Sequence, residues 1–295
     1  LASTLIGENN DQTFNIYNGN GSNGKSKLVE LMSACMGDYK VTVPITLIAS
    51  KRNAIGGTSS EIVQLKGCRY AVMQEPSKGD RLNEGIMKEI TGGDPLQGRA
   101  LFKDSITFIP QFKLVVCTNC MFDVKSNDDG TWRRLRKVDF LSKFTDKPYN
   151  DSNFPIKDYK YQFKIDQKLD EKFKSWAPVL LSMLVDIAFV KQGRVDDVDM
   201  VLESTLKYRQ DQDIILEFHN AIINPSPSKH GHSVKTRDLT VKFNDWFTKM
   251  YSNTQKPNGK ELTKYFEDKY GKYPTDGWFN FSYKSEFIDV NGFTE

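Results

Sequence analysis

The sequence has no basic-then-apolar leader, and no run is expected to reach the roughly 18 apolar residues of a membrane span, so no membrane partner is expected. Histidine is scarce, with 3 in 295 residues, and the 4 cysteines are irregularly spaced. That excludes a disulfide scaffold and predicts free thiols in a reducing, intracellular compartment. Cys117 and Cys120 form one C-x-x-C without a second pair, and His230 and His232 have no other ligand types beside them. Neither pattern argues for a metal centre. An excess of one charge is also missing: 41 Lys and Arg against 38 Asp and Glu leave +3, too little to name a partner. No internal repeat is visible. The chain opens on Leu1 without an initiating Met, which predicts a piece of a longer protein. What remains is a globular composition, 38% hydrophobic and 27% charged, long enough for about two domains.

The stretch "FNIYNGNGSNGKSKLVELM" has a pattern that such absences cannot explain. Phe14, Ile16 and Tyr17 read as a short buried strand, and Leu28, Val29, Leu31 and Met32 recur at helical spacing. Between them Gly19, Asn20, Gly21, Ser22, Asn23, Gly24, Lys25 and Ser26 fit G-x-x-x-x-G-K-S. Glycine lets backbone approach a ligand closely, and exposed N–H groups at a helix start favour an anion. The expected ligand is ATP, with Lys25 on the β- and γ-phosphates and Ser26 on Mg²⁺.

Further acids, amides and bases follow in order. "CRYAVMQEP" is an apolar strand ending in Gln74-Glu75, where Glu75 suits a general base beside Mg²⁺, as in a Walker B element. Gln74 stands where an Asp often precedes that acid, which shifts metal coordination toward Ser26 and water. A short helix over 86–90 stops at Gly92-Gly93. Arg99–Phe102 and Ile106–Ile109 are then expected to be the strands of a hairpin with Lys103 at a basic tip. Lys113–Thr118 reads as a buried strand offering Asn119, whose amide can hold the attacking water. "DDGTWRRLRKVDF" sets Arg133 and Arg134 before another strand, where paired guanidinium groups can reach a neighbour's nucleotide.

This ordered set of motifs resembles the superfamily 3 helicase core, in particular the poxvirus-type primase-helicases of large DNA viruses and phages. The resemblance covers residues 5–145 most strongly and "ESTLKYRQDQD" (203–213) more weakly. It implies an α/β AAA+ P-loop fold and a hexameric ring on single-stranded and forked duplex DNA, with ATP-driven 3′-to-5′ translocation. It also implies a primase domain earlier in the full-length chain. A viral protein of this kind would work in the host cytoplasm or nucleus. By position it makes Glu75 the Walker B acid, Asn119 sensor 1, and Arg133 or Arg134 the arginine finger. Lys88, Arg99 and Lys103 become DNA contacts.

The remaining chain divides by composition into a core (1–145), a helical extension (146–222), a linker (223–233) and a C-terminal module (234–295). Residues 141–163 mix Pro, Asn, Asp and Lys without period and read as a loop. "WAPVLLSMLVDIAF" (176–189) is apolar enough for a buried helix. Val198, Val201, Leu202, Thr205 and Tyr208 suit one face of the next helix. Helices around 237–251 and 258–270, then a hairpin over 273–283, suit a winged-helix-like module. The stretch 229–275, which runs from the linker into this module, holds ten Lys and Arg against five Asp and Glu, which favours phosphate contacts. Two other functions share the ATP site: an AAA+ loader that binds DNA without unwinding it, and a P-loop kinase.

Overall fold

The structure, a computed structural model, describes residues 1–49, 58–77, 79–124, 128–227, 233–251 and 256–284. It divides into two compact units, Leu1–Arg209 and Gln210–Glu295.

The first unit is built on a five-stranded parallel sheet. Its strands are β1 (Phe14–Asn18), β2 (Lys40–Thr42), β3 (Tyr70–Gln74), β6 (Lys113–Thr118) and β7 (Leu135–Asp139), in the order β2-β3-β6-β1-β7. A separate antiparallel hairpin pairs β4 (Leu96–Arg99) with β5 (Ser105–Phe108). Strands covered on both faces read as continuous apolar runs, and every residue of β6 is buried. Successive side chains alternate between faces. Phe14, Ile16, Ala71, Met73, Leu114 and Val116 belong to one core cluster, and Tyr17, Tyr70, Val72, Val115 and Cys117 to the other.

The first cluster includes Ile48 of the short α2 (Thr46–Ala49) and Met87 and Ile90 of α4 (Glu84–Thr91), with Ile62 of α3 (Ser60–Val63) packed against it. Trp132 of α5 (Asp129–Trp132) and Tyr208 of α7 (Asp199–Gln212) complete it, their rings edge-on at 5.3 Å. The second cluster takes Val29, Met32 and Met36 from α1 (Lys25–Met36) and Leu184 and Ala188 from α6 (Leu169–Lys191).

Three expectations change here. Residues 141–163 are not all loop: β8 (Ser142–Thr145) pairs in parallel with β9 (Tyr161–Lys164). The helix over 176–189 is not buried; only Ala177, Leu184 and Ala188 of α6 are, while Val179, Met183, Ile187 and Phe189 are exposed. By length and composition α6 is also apolar enough to cross a membrane, with mean hydropathy 1.6 over its 18-residue window, contrary to the expectation that no such run exists. On α7 the inward residues are Thr205 and Tyr208, whereas Val198, just before the helix, and Leu202 are exposed.

The second unit contains α8 (Ile214–Ile222), β10 (Ile223–Asn224), α9 (Thr236–Met250), α10 (Gly259–Tyr270) and β11 (Ser282–Tyr283). Phe218, Phe243, Trp246, Phe247, Phe266, Trp278 and Phe281 give its core an aromatic character, with Leu262 packed among them. The division of the chain falls before α8, not at 223–233, because Ile215, Phe218 and Ile222 pack into this core. The first residues of the expected linker are strand β10, antiparallel to β11. No hairpin closes within 273–283 among the described residues; Trp278 bridges to Val234 instead. His230 and His232 lie outside the described residues.

Candidate functional site

The parallel register brings three chain turns to one edge of the sheet. Tyr17 and Gln74 both pair with Cys117, so β1, β3 and β6 end level with one another. Open parallel sheets bind ligands outside the carboxyl ends of their strands, where neighbouring connections diverge. Here that edge carries Gly19, Glu75 and Asn119, each just beyond its strand.

The loop after β1 leaves ordinary backbone space at several points: φ is +148° at Gly19, +32° at Gly21, +52° at Ser22 and +91° at Gly24. Gly24 caps α1, and Lys25 and Ser26 are its first residues. Successive amides in such a conformation form an anion-binding concavity. Lys25 is 6% exposed, and burial lowers the pKa of its ammonium, with Cys117 and Glu75 opposing that effect. Its Nζ donates to the Gly19 carbonyl and, at 3.0 Å, to Asn119 Oδ1.

An open cleft of about 260 Å³ is lined by residues 21–27, Gln74, Glu75 and residues 117–119. The Asn23 side-chain nitrogen at its wall is buried with no hydrogen-bond partner among the described residues. A donor set of loop amides, an ammonium held by two neutral oxygens among the described residues and an unspent amide nitrogen fits a polyanion. Ser26 and Glu75, a hydroxyl and a carboxylate, are oxygen ligands of the kind Mg²⁺ accepts. Glu75 stands at φ +48°, a left-handed conformation that costs a non-glycine residue about 1 kcal/mol or more. Its N–H donates to the Cys117 carbonyl at 2.9 Å, which ties the turn to β6. Cys117 also lines the cleft, and burial pushes its thiol up to about 11.

The other residues singled out in the sequence lie outside this lining. Arg133 and Arg134 follow α5 and both donate to Gln12 Oε1, Arg133 at 2.8 Å. Arg133 is exposed, whereas Arg134 is partly buried, and burial followed by the neighbouring Arg133 lowers its pKa. Lys88, in the last turn of α4, pairs with Asp128, and this bond together with the Gly130 N–H holds the Asp128 carboxyl down at about 2. Arg99 ends β4, and its Nε donates to the Lys103 carbonyl at 3.0 Å. The hairpin tip, residues 100–104, is less purely basic than expected, since Leu101 is 62% and Phe102 91% exposed, the latter at φ +58°. The sequence reading missed Phe102 as a tip residue, because an apolar residue in "RALF" looks like strand.

A family of unknown function, DUF5906, matches residues 17–134. The chain is 34% identical to a protein named "Putative helicase L207/L206" of Acanthamoeba polyphaga mimivirus, over 92% of this chain and 28% of that protein. It is 28% identical to "Putative helicase 022R" of Frog virus 3 (isolate Goorha), over 97% of this chain and 29% of that protein. A protein of African swine fever virus named "Putative primase C962R" matches at 27% over 72% of this chain and 22% of its own length. The chain therefore spans less than a third of each of these relatives, whose names join helicases and primases of large DNA viruses. Among solved structures, the A-form apo structure of the NrS-1 C-terminal region is similar in fold, with a TM-score of 0.50 at 13% identity. That likeness covers 75% of this chain and 48% of the other.

Proposed function

We propose that this chain is the ATP-driven motor of a DNA helicase of superfamily 3 type, with an AAA+ core. It assembles as a hexameric ring and moves 3′ to 5′ on single-stranded DNA in viral or phage genome replication. One observation carries the reading: Lys25-Ser26, Glu75 and Asn119 meet at the carboxyl edge of one parallel sheet. Kinship with proteins named as viral helicases and primases supports the replication setting.

Lys25 exchanges its Gly19 and Asn119 partners for the β- and γ-phosphates of ATP, and the amides of residues 21–25 receive the remaining phosphate oxygens. Mg²⁺ held by Ser26 and Glu75 would draw off the negative charge that builds up on those oxygens. Glu75 accepts a proton from the attacking water, and Asn119, released from Lys25, orients that water. Arg133 and Arg134 lie outside their own chain's cleft, which suits a role in a neighbour's site. Arg133, the more exposed of the two, is the better candidate for an arginine finger.

DNA is gripped by the β4–β5 hairpin through Lys103, with Arg99 fixing the tip from behind. The second unit acts as a winged-helix-like DNA contact. The order α8, β10, α9, α10, β11, with β10 antiparallel to β11, supports that assignment. A primase domain earlier in the full-length protein would complete the assembly. The test is ATP hydrolysis with and without single-stranded DNA. Stimulation by the strand is expected, whereas a rate indifferent to DNA and raised by a small phosphoryl acceptor would overturn the reading in favour of a kinase.

A further inference from the structure

Lys143 is a charged side chain that none of this chemistry uses, and it is only 6% exposed. It lies on β8, the strand that the loop-like composition of 141–163 conceals. Its Nζ donates to the Gly21 carbonyl at 3.1 Å and sits 4.0 Å from the ring centre of Phe154 and 5.4 Å from that of Tyr159. No carboxylate pairs with it among the described residues. The two rings meet edge-on at 5.3 Å, and buried Gln162 staples the excursion that carries them, donating to the Phe154 carbonyl at 2.8 Å and the Tyr159 carbonyl at 3.0 Å. The next residue repeats the contact through backbone: the Phe144 N–H donates to the Ser22 carbonyl at 2.7 Å. The Phe144 ring lies against Gly24, where a Cβ would come within 3.3 Å of it.

In a trans peptide the carbonyl and the following N–H point in opposite directions. A donor behind the Gly21 carbonyl therefore turns the Ser22 N–H away from β8. A donor behind the Ser22 carbonyl does the same for the Asn23 N–H. Both residues line the cleft. A buried ammonium without a carboxylate is a costly thing to keep, and here its charge also polarises the peptide whose amide faces the ligand.

We propose that β8 is the rear support of the anion-binding loop, turning the Ser22 and Asn23 amides into the cleft, and that Lys143 is the positioning residue for triphosphate binding that aims the Ser22 amide. This rests on the nucleotide reading of the cleft. Three chains are compared with the wild type: Lys143→Met, Lys143→Arg and, as the nucleotide control, Lys25→Ala. Binding of a non-hydrolysable ATP analogue with Mg²⁺ is measured by calorimetry, KM and kcat for ATP are measured separately, and hydrogen exchange is followed over residues 19–24 of the free protein.

Lys143→Met should weaken analogue binding about tenfold or more, as loss of a charge-assisted hydrogen bond implies. It should raise KM more than it lowers kcat and speed loop exchange, at a melting temperature close to wild type. Lys143→Arg should restore affinity. If wild type binds and Lys25→Ala does not, but Lys143→Met binds and exchanges like wild type, this proposal alone fails. If wild type binds no nucleotide, the reading of the cleft fails and takes the proposal with it. A Lys143→Met chain that loses its fold would also overturn it, since the lysine would then hold the whole domain and not the loop.

Discussion

At Lys25 the free protein already shows what the ligand must displace. The ammonium is buried, its pKa is lowered by that burial, and it donates to one carbonyl and one amide oxygen. Phosphate oxygens offer a full counter-charge in their place, so Lys25→Ala should abolish binding of ATP. Glu75→Gln should keep ATP bound, because glutamine preserves size and polarity, while hydrolysis falls by about 10²–10⁴ with the loss of a general base. Equilibrium binding and steady-state turnover on the two variants check this; wild-type turnover by Glu75→Gln would remove Glu75 from its role. The Lys25 and Glu75 positions were legible from residue order alone. The left-handed backbone of Glu75, the bond from Lys25 to Asn119 and the support from Lys143 were not. Each depends on a partner about forty to more than a hundred positions away, or on a φ angle that no residue type announces at a non-glycine site.

Among the elements, the β4–β5 hairpin has two chemically distinct groups at its tip, and they are separable by salt. Lys103 would neutralise phosphate, and each such contact adds about 0.7 to the slope of log affinity against log salt on a single strand. Phe102, 91% exposed, offers a ring face on which a base can stack, worth about 1–3 kcal/mol and nearly independent of salt. Lys103→Ala should flatten the salt slope, whereas Phe102→Ala should lower affinity at every salt concentration and leave the slope unchanged. A fluorescence titration across a salt series checks both; two variants with wild-type affinity and slope would take the hairpin off the DNA.

The same element scale shows where sequence patterns carry information. β3 and β6 were legible as strands because "YAVM" and "LVVC" are apolar on both faces, which only a central strand needs. β8 and β9 escaped notice because "SKFT" and "YQFK" are four residues each, and their pairing is a long-range fact. The helix α6 was legible by its period, but hydrophobicity alone misjudged its burial. Its face toward α1 is covered, and much of the rest is exposed. The second unit's two long helices were likewise visible as amphipathic stretches, and its strands were not, since β10 and β11 have only two residues each.

For the whole molecule the claim is that ATP turnover at the sheet edge performs mechanical work on DNA. A cleft, a hairpin and a second unit with a basic stretch over 229–275 are present in one chain, but a loader would use the same parts without separating strands. Displacement of a labelled strand from a 3′-tailed forked duplex, measured with this chain in ATP and Mg²⁺, distinguishes the two most directly. The account predicts displacement that requires ATP, that is lost in Glu75→Gln, and that fails on a duplex bearing only a 5′ tail. DNA-stimulated hydrolysis with the fork left fully paired would contradict it.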